Sequence, residues 1–338
     1  NFICKHINNL SQFVITNANS DCLREILKLL TNACLTKVTI MNPIEIDDVE
    51  VENVFNALKN TKCARKHTHT NLKFLMLCNF CLSEEFMTKV YSFFRNGCAN
   101  HLQELNLGCN KISPTAISKF CEVFDSEHFV ELKCLNLYRN PICDEGAIVL
   151  FNTLIEGPSK LTELNLEMCS LTFRCVPALV KTLQSEHCKI VKLSLKGNDI
   201  GDEGMSLLCE NAMTDEHCKL ADLSVDHCSL TERFISNLCK ALQDEHCKLN
   251  QLSLSNNKIT DEGACVLFDH ITKENCKLTI LHLMFCSLGD NCLPTLCNAW
   301  QDERCSLTYL TLFWNNFTVE GKKMLSDVQK CNDSKLSF

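Results

Sequence analysis

One pattern recurs along most of this 338-residue chain. Leu-x-x-Leu-x-Leu-x-x-(Asn/Cys)-x-(Leu/Ile) begins at residues 102, 132, 161, 190, 220, 249, 278 and 307, with a blurred copy at 72. Successive copies are 29 or 30 residues apart. A fixed period of this length describes a unit too small to bury its own apolar face, which it covers by stacking on the next copy. The core then grows along the chain instead of splitting into separate domains.

The copy at 249–278 shows how one unit folds. Leu249, Leu252 and Leu254 alternate with Gln251 and Ser253, the period-two pattern of a short strand with leucines inward. Asn257 follows where the chain turns and backbone groups need partners; its amide supplies both donors and an acceptor. Asp261-Glu262-Gly263 reads as a helix start, with acidic residues in the first turn, and Leu267 and Ile271 face the core. Residues 273–277 return the chain to the next strand. Nine such strands are expected to lie parallel. Before them, Leu10, Phe13 and Ile15, then Leu35, Val38 and Ile40, read as two degenerate strands, with helices over 21–30 and 47–58 and an inserted loop at 61–71. The expected organisation is an N-terminal cap with degenerate repeats over 1–71, regular repeats over 72–325, and a C-terminal cap and tail over 326–338.

The ninth motif position alternates: Asn140, Cys169, Asn198, Cys228, Asn257, Cys286, Asn315. The Asn copies carry Gly146, Gly204, Gly263 and Gly321 four residues after the motif, and the Cys copies carry none. The true unit is therefore a pair. Twelve of the 26 cysteines hold fixed repeat positions and are expected to stack in columns as small apolar side chains. That usage predicts reduced thiols and a cytoplasmic setting.

The strand–helix period is that of an α/β leucine-rich repeat solenoid. The alternation resembles the ribonuclease-inhibitor class of such repeats, and that resemblance implies a horseshoe with parallel strands on the concave face and helices on the convex face. Asp244-Glu245-His246-Cys247-Lys248-Leu249 and Ile259-Thr260-Asp261-Glu262-Gly263 resemble that class as it occurs at the C-terminus of NOD-like receptors. The resemblance runs over residues 102–325 and more weakly over 72–101. It implies a protein-binding role: the ligand-sensing or autoinhibitory domain of an innate immune receptor, with a nucleotide-binding segment upstream. A free-standing ribonuclease inhibitor acting on a basic enzyme is the alternative reading, and a Ran-type GTPase-activating protein is a third.

The net charge of −8 lacks the basic face that phosphate-backbone binding needs, so nucleic acid is not an expected partner. No apolar run is long enough to span a membrane. Phosphate-binding glycine loops, the H-E-x-x-H metal motif and the G-x-S-x-G nucleophile turn are missing from the sequence, so neither catalysis nor a cofactor is expected. Cys63, His67, His69, Cys78 and Cys81 cluster in sequence, but Cys78 and Cys81 fall at motif positions seven and ten and should diverge, so no metal site is expected. The His187, His217 and His246 column is better read as helix-end contacts than as ligands.

Motif positions three, five, seven and eight should project from the concave face. In the last two copies they hold Ile280, His282, Met284 and Phe285, then Tyr309, Thr311, Phe313 and Trp314. Exposed aromatics in a group mark binding surfaces, so Ile280, His282, Met284, Phe285, Tyr309, Phe313 and Trp314 form the first candidate protein-binding site. The preceding copies offer small polar groups, among them Ser253 and Ser255. A second, acidic candidate comprises Glu163, Glu167, Asp222 and Asp226, flanking a strand with Lys192 and Lys196.

Overall fold

The structure is a computed structural model that describes residues 11–30, 35–43, 48–59, 72–80, 84–95, 100–124, 131–156, 159–329 and 335–338. The chain divides into two compact units, Asn1–Cys169 and Ser170–Phe338. Each is a run of strand–turn–helix repeats.

The first unit carries strands β1 (Gln12–Thr16), β2 (Lys37–Met41), β3 (Phe74–Cys78), β4 (Glu104–Asn106), β5 (Cys134–Asn136) and β6 (Glu163–Asn165). They pair in parallel in chain order. Helices α1 (Ser20–Leu30), α2 (Asp48–Lys59), α3 (Glu84–Phe93), α4 (Pro114–Phe124) and α5 (Cys143–Glu156) connect them. The second unit carries β7 (Lys192–Ser194), β8 (Asp222–Ser224), β9 (Gln251–Ser253), β10 (Ile280–His282), β11 (Tyr309–Thr311) and β12 (Lys335–Ser337). Its helices are α6 (Val176–Leu183), α7 (Gly201–Leu207), α8 (Ile235–Leu242), α9 (Thr260–His270), α10 (Leu293–Gln301) and α11 (Val319–Gln329). This is the α/β leucine-rich repeat solenoid class. Both degenerate N-terminal strands form. Strand β12 was not anticipated: it follows α11 and pairs with β11, Leu336 opposite Leu310. Leu10, the 61–71 loop, Cys63, His67, His69 and Cys81 lie outside the described residues.

Strand leucines and helix leucines close the core together. Leu249, Leu252, Leu254 and Leu267 are buried, as are Leu150, Leu179, Leu208, Leu238, Leu296 and Leu325 at the equivalent helix position. In the first unit Phe55, Phe93, Phe94 and Phe120 form a chain of ring contacts with centroids 4.9 to 6.2 Å apart.

The Asn/Cys alternation has a backbone cause. Asn257 Oδ1 accepts from Cys228 N at 3.0 Å and Leu230 N at 3.1 Å, both in the preceding turn. Its Nδ2 donates to the carbonyls of Val225 (2.8 Å), Leu254 (2.9 Å) and Ser255 (3.3 Å). Asn140 and Asn315 organise the turns before them in the same way. Cysteine replaces only one donor: Cys228 Sγ donates to Leu195 O at 3.2 Å and Cys286 Sγ to Leu254 O at 3.3 Å. It offers no comparable acceptor, so the turn before a Cys copy is built differently. Before an Asn copy the left-handed residue is at motif position ten, in Lys111, Ser170, Ser229 and Ser287. Before a Cys copy it moves to the residue after the motif, in Cys143, Gly201 and Thr260, whose N–H donates to the carbonyl of the coming cysteine. The Cys copies then enter their helices through 3-10 turns at Phe173–Cys175, Glu232–Phe234 and Asp290–Cys292. Glycine follows from this packing: a Cβ on Gly263 would lie 2.8 Å from Glu232 Cβ in the preceding 3-10 turn.

Candidate functional site

The side chains of the first candidate site ride on β10, β11 and the turns that follow them. Register places Ile280 opposite Tyr309 and His282 opposite Thr311. Leu281 and Leu310 point into the core between them. His282 and Tyr309 meet edge to face, with ring centroids 5.7 Å apart at 71°. His282 Nδ1 lies 2.9 Å from Thr311 Oγ1. Burial holds the His282 pKa below the ordinary histidine value, partly opposed by the carboxylates of Asp226 and Asp222. The imidazole is therefore neutral at physiological pH and presents a flat, weakly polar surface.

Thr311 corrects the simple reading of alternate residues as exposed. It is only 4% exposed although its strand position faces outward, and its hydroxyl is engaged by the His282 ring. Ser255 is likewise buried: its hydroxyl accepts from Met284 N at 3.2 Å and its N–H donates to Asp226 at 2.8 Å.

The turn residues carry the most exposed part. Phe285 is 49% exposed, Phe313 41% and Trp314 74%. The Phe285 and Trp314 rings stack, 7° from parallel, with centroids 5.5 Å apart. Both residues have positive φ, 54° and 61°. So do all residues at motif position eight: Asn79, Cys109, Arg139, Met168, Gly197, His227 and Asn256. The equivalent residues of the two degenerate copies, Asn17 and Asn42, do so too. The strand must end in a left-handed residue so that the next N–H groups reach the following repeat, as when Phe285 N donates to Phe313 O at 3.1 Å. Asparagine and glycine accept that conformation at little cost, whereas a bulky side chain pays roughly 1–2 kcal/mol. Phe285 and Trp314 carry this cost while leaving their rings in solvent.

The acidic candidate is divided between the units. Glu163 and Glu167 belong to the first unit, where Glu163 is exposed and Glu167 half-buried. Asp222 and Asp226 belong to the second. Asp222 pairs with Lys192 at 3.3 Å. Asp226 is built into the sheet: Oδ1 accepts from Ser253 Oγ and Ser255 N, and Oδ2 from Ser224 Oγ at 3.2 Å. These carboxylates are thus partly committed to holding the strand face together.

Two features were not read from the sequence. Lys219, Lys248 and Lys277 extend back one repeat and donate to the Cys188, Cys218 and Cys247 carbonyls at 2.8 to 2.9 Å. Their signal was the Cys-Lys step that precedes the motif in the copies at 190, 220, 249 and 278. The neighbouring His187, His217 and His246 are exposed and lie 3.8 Å from the adjacent glutamates Glu186, Glu216 and Glu245. Among the described residues no group of three or more His, Cys, Asp or Glu side chains is arranged to hold a metal ion. The twenty described cysteines are free thiols, twelve of them buried. Burial pushes Cys169, Cys228 and Cys286 up to about 12, which keeps them protonated and unreactive. No described helix is long and apolar enough to cross a membrane.

The family profile described as Leucine Rich repeat matches residues 98–121, 186–209, 245–267, 274–292 and 304–326. Human NACHT, LRR and PYD domains-containing protein 7 is 35% identical over 157 residues, 46% of this chain and 16% of that protein. The bovine NACHT, LRR and PYD domains-containing protein 3 is 31% identical over 250 residues, 65% of this chain and 23% of that protein. The chain is a leucine-rich repeat domain that resembles those of NOD-like receptors. It spans only about a fifth of the length of such relatives. Among solved structures, a chain of the yeast Rad7 and Elc1 complex superposes with a TM-score of 0.55 at 20% identity, covering 91% of this chain and 71% of that one. An internalin from Listeria monocytogenes superposes with a TM-score of 0.52 at 14% identity, covering 99% and 88%. These two likenesses establish the fold alone.

Proposed function

We propose that this repeat domain is a non-enzymatic protein-recognition module of NOD-like receptor type. Its ligand lies on the open strand face of the second unit, with Phe285, Phe313 and Trp314 as anchors and Ile280, His282, Met284 and Tyr309 as the floor. The observation that carries the reading is the aromatic pair at left-handed turn positions. That position elsewhere holds Asn, Gly, Cys, Arg, Met or His, so the fold needs no ring there, and two exposed, stacked aromatics support a use outside the fold. Large rigid rings bury much area at small entropic cost, and such anchors dominate interface energies.

The protonated, buried thiols support a reducing cytoplasmic setting. The domain would serve the ligand-sensing or autoinhibitory end of a larger receptor. The test is the double variant Tyr309→Ala with Trp314→Ala, whose affinity for the cognate protein is expected to fall at least tenfold, about 1.4 kcal/mol. Binding that survives this variant but fails on charge reversal at Glu163, Glu167 and Asp226 would move the site to the acidic candidate and favour a basic-enzyme ligand.

A further inference from the structure

The chemistry of the ligand can be read from the order of side chains across the second unit, resting on the site proposed above. From β8 to β11 the outward positions run through Asp222 and Asp226, then Gln251 and Ser253, then His282 and Met284, then Tyr309 and Phe313. A carboxylate edge and an aromatic edge thus face each other across a strip of small polar groups. Asp226 does not lie flat within its own strand. It reaches over β9, held by Ser253 and by Ser255 N, with Ser224 on its other oxygen. A carboxylate can accept about four hydrogen bonds, and three come from these groups, so the anion is oriented and keeps acceptor capacity.

We infer that the ligand is an extended peptide segment crossing the strands, with one aromatic or large aliphatic side chain against Phe285, Phe313 and Trp314 and one arginine or lysine at Asp226 and Asp222. Strand spacing sets the distance between the two. Neighbouring strands lie about 4.8 Å apart, so the Asp226 carboxylate, held between β8 and β9, is roughly 7 Å from the β10 floor and roughly 12 Å from β11. An extended peptide advances about 3.3 Å per residue, which puts the basic residue about two to four positions from the apolar one. Arginine and lysine both serve, because Oδ1 is already doubly engaged and Oδ2 keeps one acceptor position for a single charged N–H. The partner cation would compete with Lys192 for Asp222, a pair in which Lys192 is more than half exposed and readily displaced.

The experiment is selection from a random dodecapeptide phage library on the full chain in reductant, repeated on Trp314→Asn, Asp226→Asn and Asp222→Asn. Enriched sequences are then synthesised and titrated by calorimetry. Expected is a consensus of Trp, Phe or Leu with Arg or Lys about two to four residues away. Changing the peptide's Arg to Gln should weaken binding at least tenfold, and Asp226→Asn should absorb most of that loss. Circular dichroism on each variant confirms folding, and Asp222→Asn, which loses an ion pair to the half-exposed Lys192, carries the test if Asp226→Asn does not fold. A consensus without a basic residue, enrichment of acidic peptides, full affinity in both Asp variants, or no enrichment overturns this inference. Peptides that bind Trp314→Asn as tightly as wild type instead remove the aromatic site itself.

Discussion

Replacing Asn257 with leucine isolates the element that ties one repeat to the next. The amide satisfies two buried N–H groups in the preceding turn and donates to three carbonyls. Leucine fills a similar space but leaves Cys228 N and Leu230 N without an acceptor. A buried unpaired group costs about 1–3 kcal/mol, so the two N–H groups alone cost about 2–6 kcal/mol. The carbonyls add less, because Leu254 O also accepts from Cys286 Sγ. The expected loss is therefore about 4 kcal/mol. Asn257→Cys should cost less than leucine, since a thiol restores one donor, but it should force the preceding turn toward the form seen before Cys copies. That form needs a left-handed residue at Thr231, which now has an extended φ of −121°. Urea unfolding with reductant, followed by tryptophan fluorescence, reports on this unit because Trp300 and Trp314 both lie in it. An unchanged midpoint for Asn257→Leu would refute the ladder as a stabilising device. Equal losses for leucine and cysteine would show that the thiol does not stand in for the amide donor.

Other outcomes follow from the same geometry. Trp314→Asn should leave thermal stability unchanged or raise it by up to about 1 kcal/mol, because relief of a left-handed aromatic, about 1–2 kcal/mol, outweighs a lost stacking contact of about 0.5–1.5 kcal/mol; a clear fall in the melting midpoint would make the ring a structural part of the fold. Raising pH from 8 to 10 in reductant should destabilise the second unit. Cys228 and Cys286 are pushed up to about 12 in the fold against an ordinary value of 9.0, so their contribution is complete below 9 and is lost as pH rises from 9 toward 12. At pH 10 the unfolded chain gains about 1.4 kcal/mol for each thiol that ionises, about 3 kcal/mol for the two, and the urea midpoint should fall; a midpoint flat across this range would contradict the burial of these thiols. Gly263→Ala should lower stability by about 1–3 kcal/mol despite alanine's better helix propensity, since its Cβ would meet Glu232 Cβ at 2.8 Å. A higher melting midpoint would mean the 3-10 turn moves aside without strain.

Much of this was legible in the sequence because repetition multiplies weak signals. One Leu-x-x-Leu-x-Leu says little, but eight copies fix strand, turn and helix together. The degenerate strands at Phe13 and Val38 could be read only by extending the period backwards, and both formed. Strand β12 escaped because its copy is short: Lys335-Leu336-Ser337-Phe338 echoes Lys192-Leu193-Ser194-Leu195, but lies outside the 29-residue step. The Asn/Cys alternation was visible, whereas its effect on the preceding turn was not, because the bond runs between repeats. Thr311 and Ser255 were misjudged for a related reason. Period two says which face a side chain leaves from, and a neighbouring strand decides whether His282 or the Met284 backbone then covers it. Likewise, the sequence marks Asp226 as a charge but not as one that Ser253 and Ser255 of the next repeat hold in place.

The central claim is that the aromatic turn pair of the second unit exists for binding. Quantitative affinity capture with wild type and Trp314→Asn, both shown to be folded, followed by direct affinity measurement on any protein captured by wild type and lost by the variant, tests it most directly. Expected is such a protein, with affinity weakened at least tenfold by Trp314→Asn and again by Phe285→Asn, while the melting midpoint holds or rises. Equal affinity of the partner for wild type and both variants would contradict it.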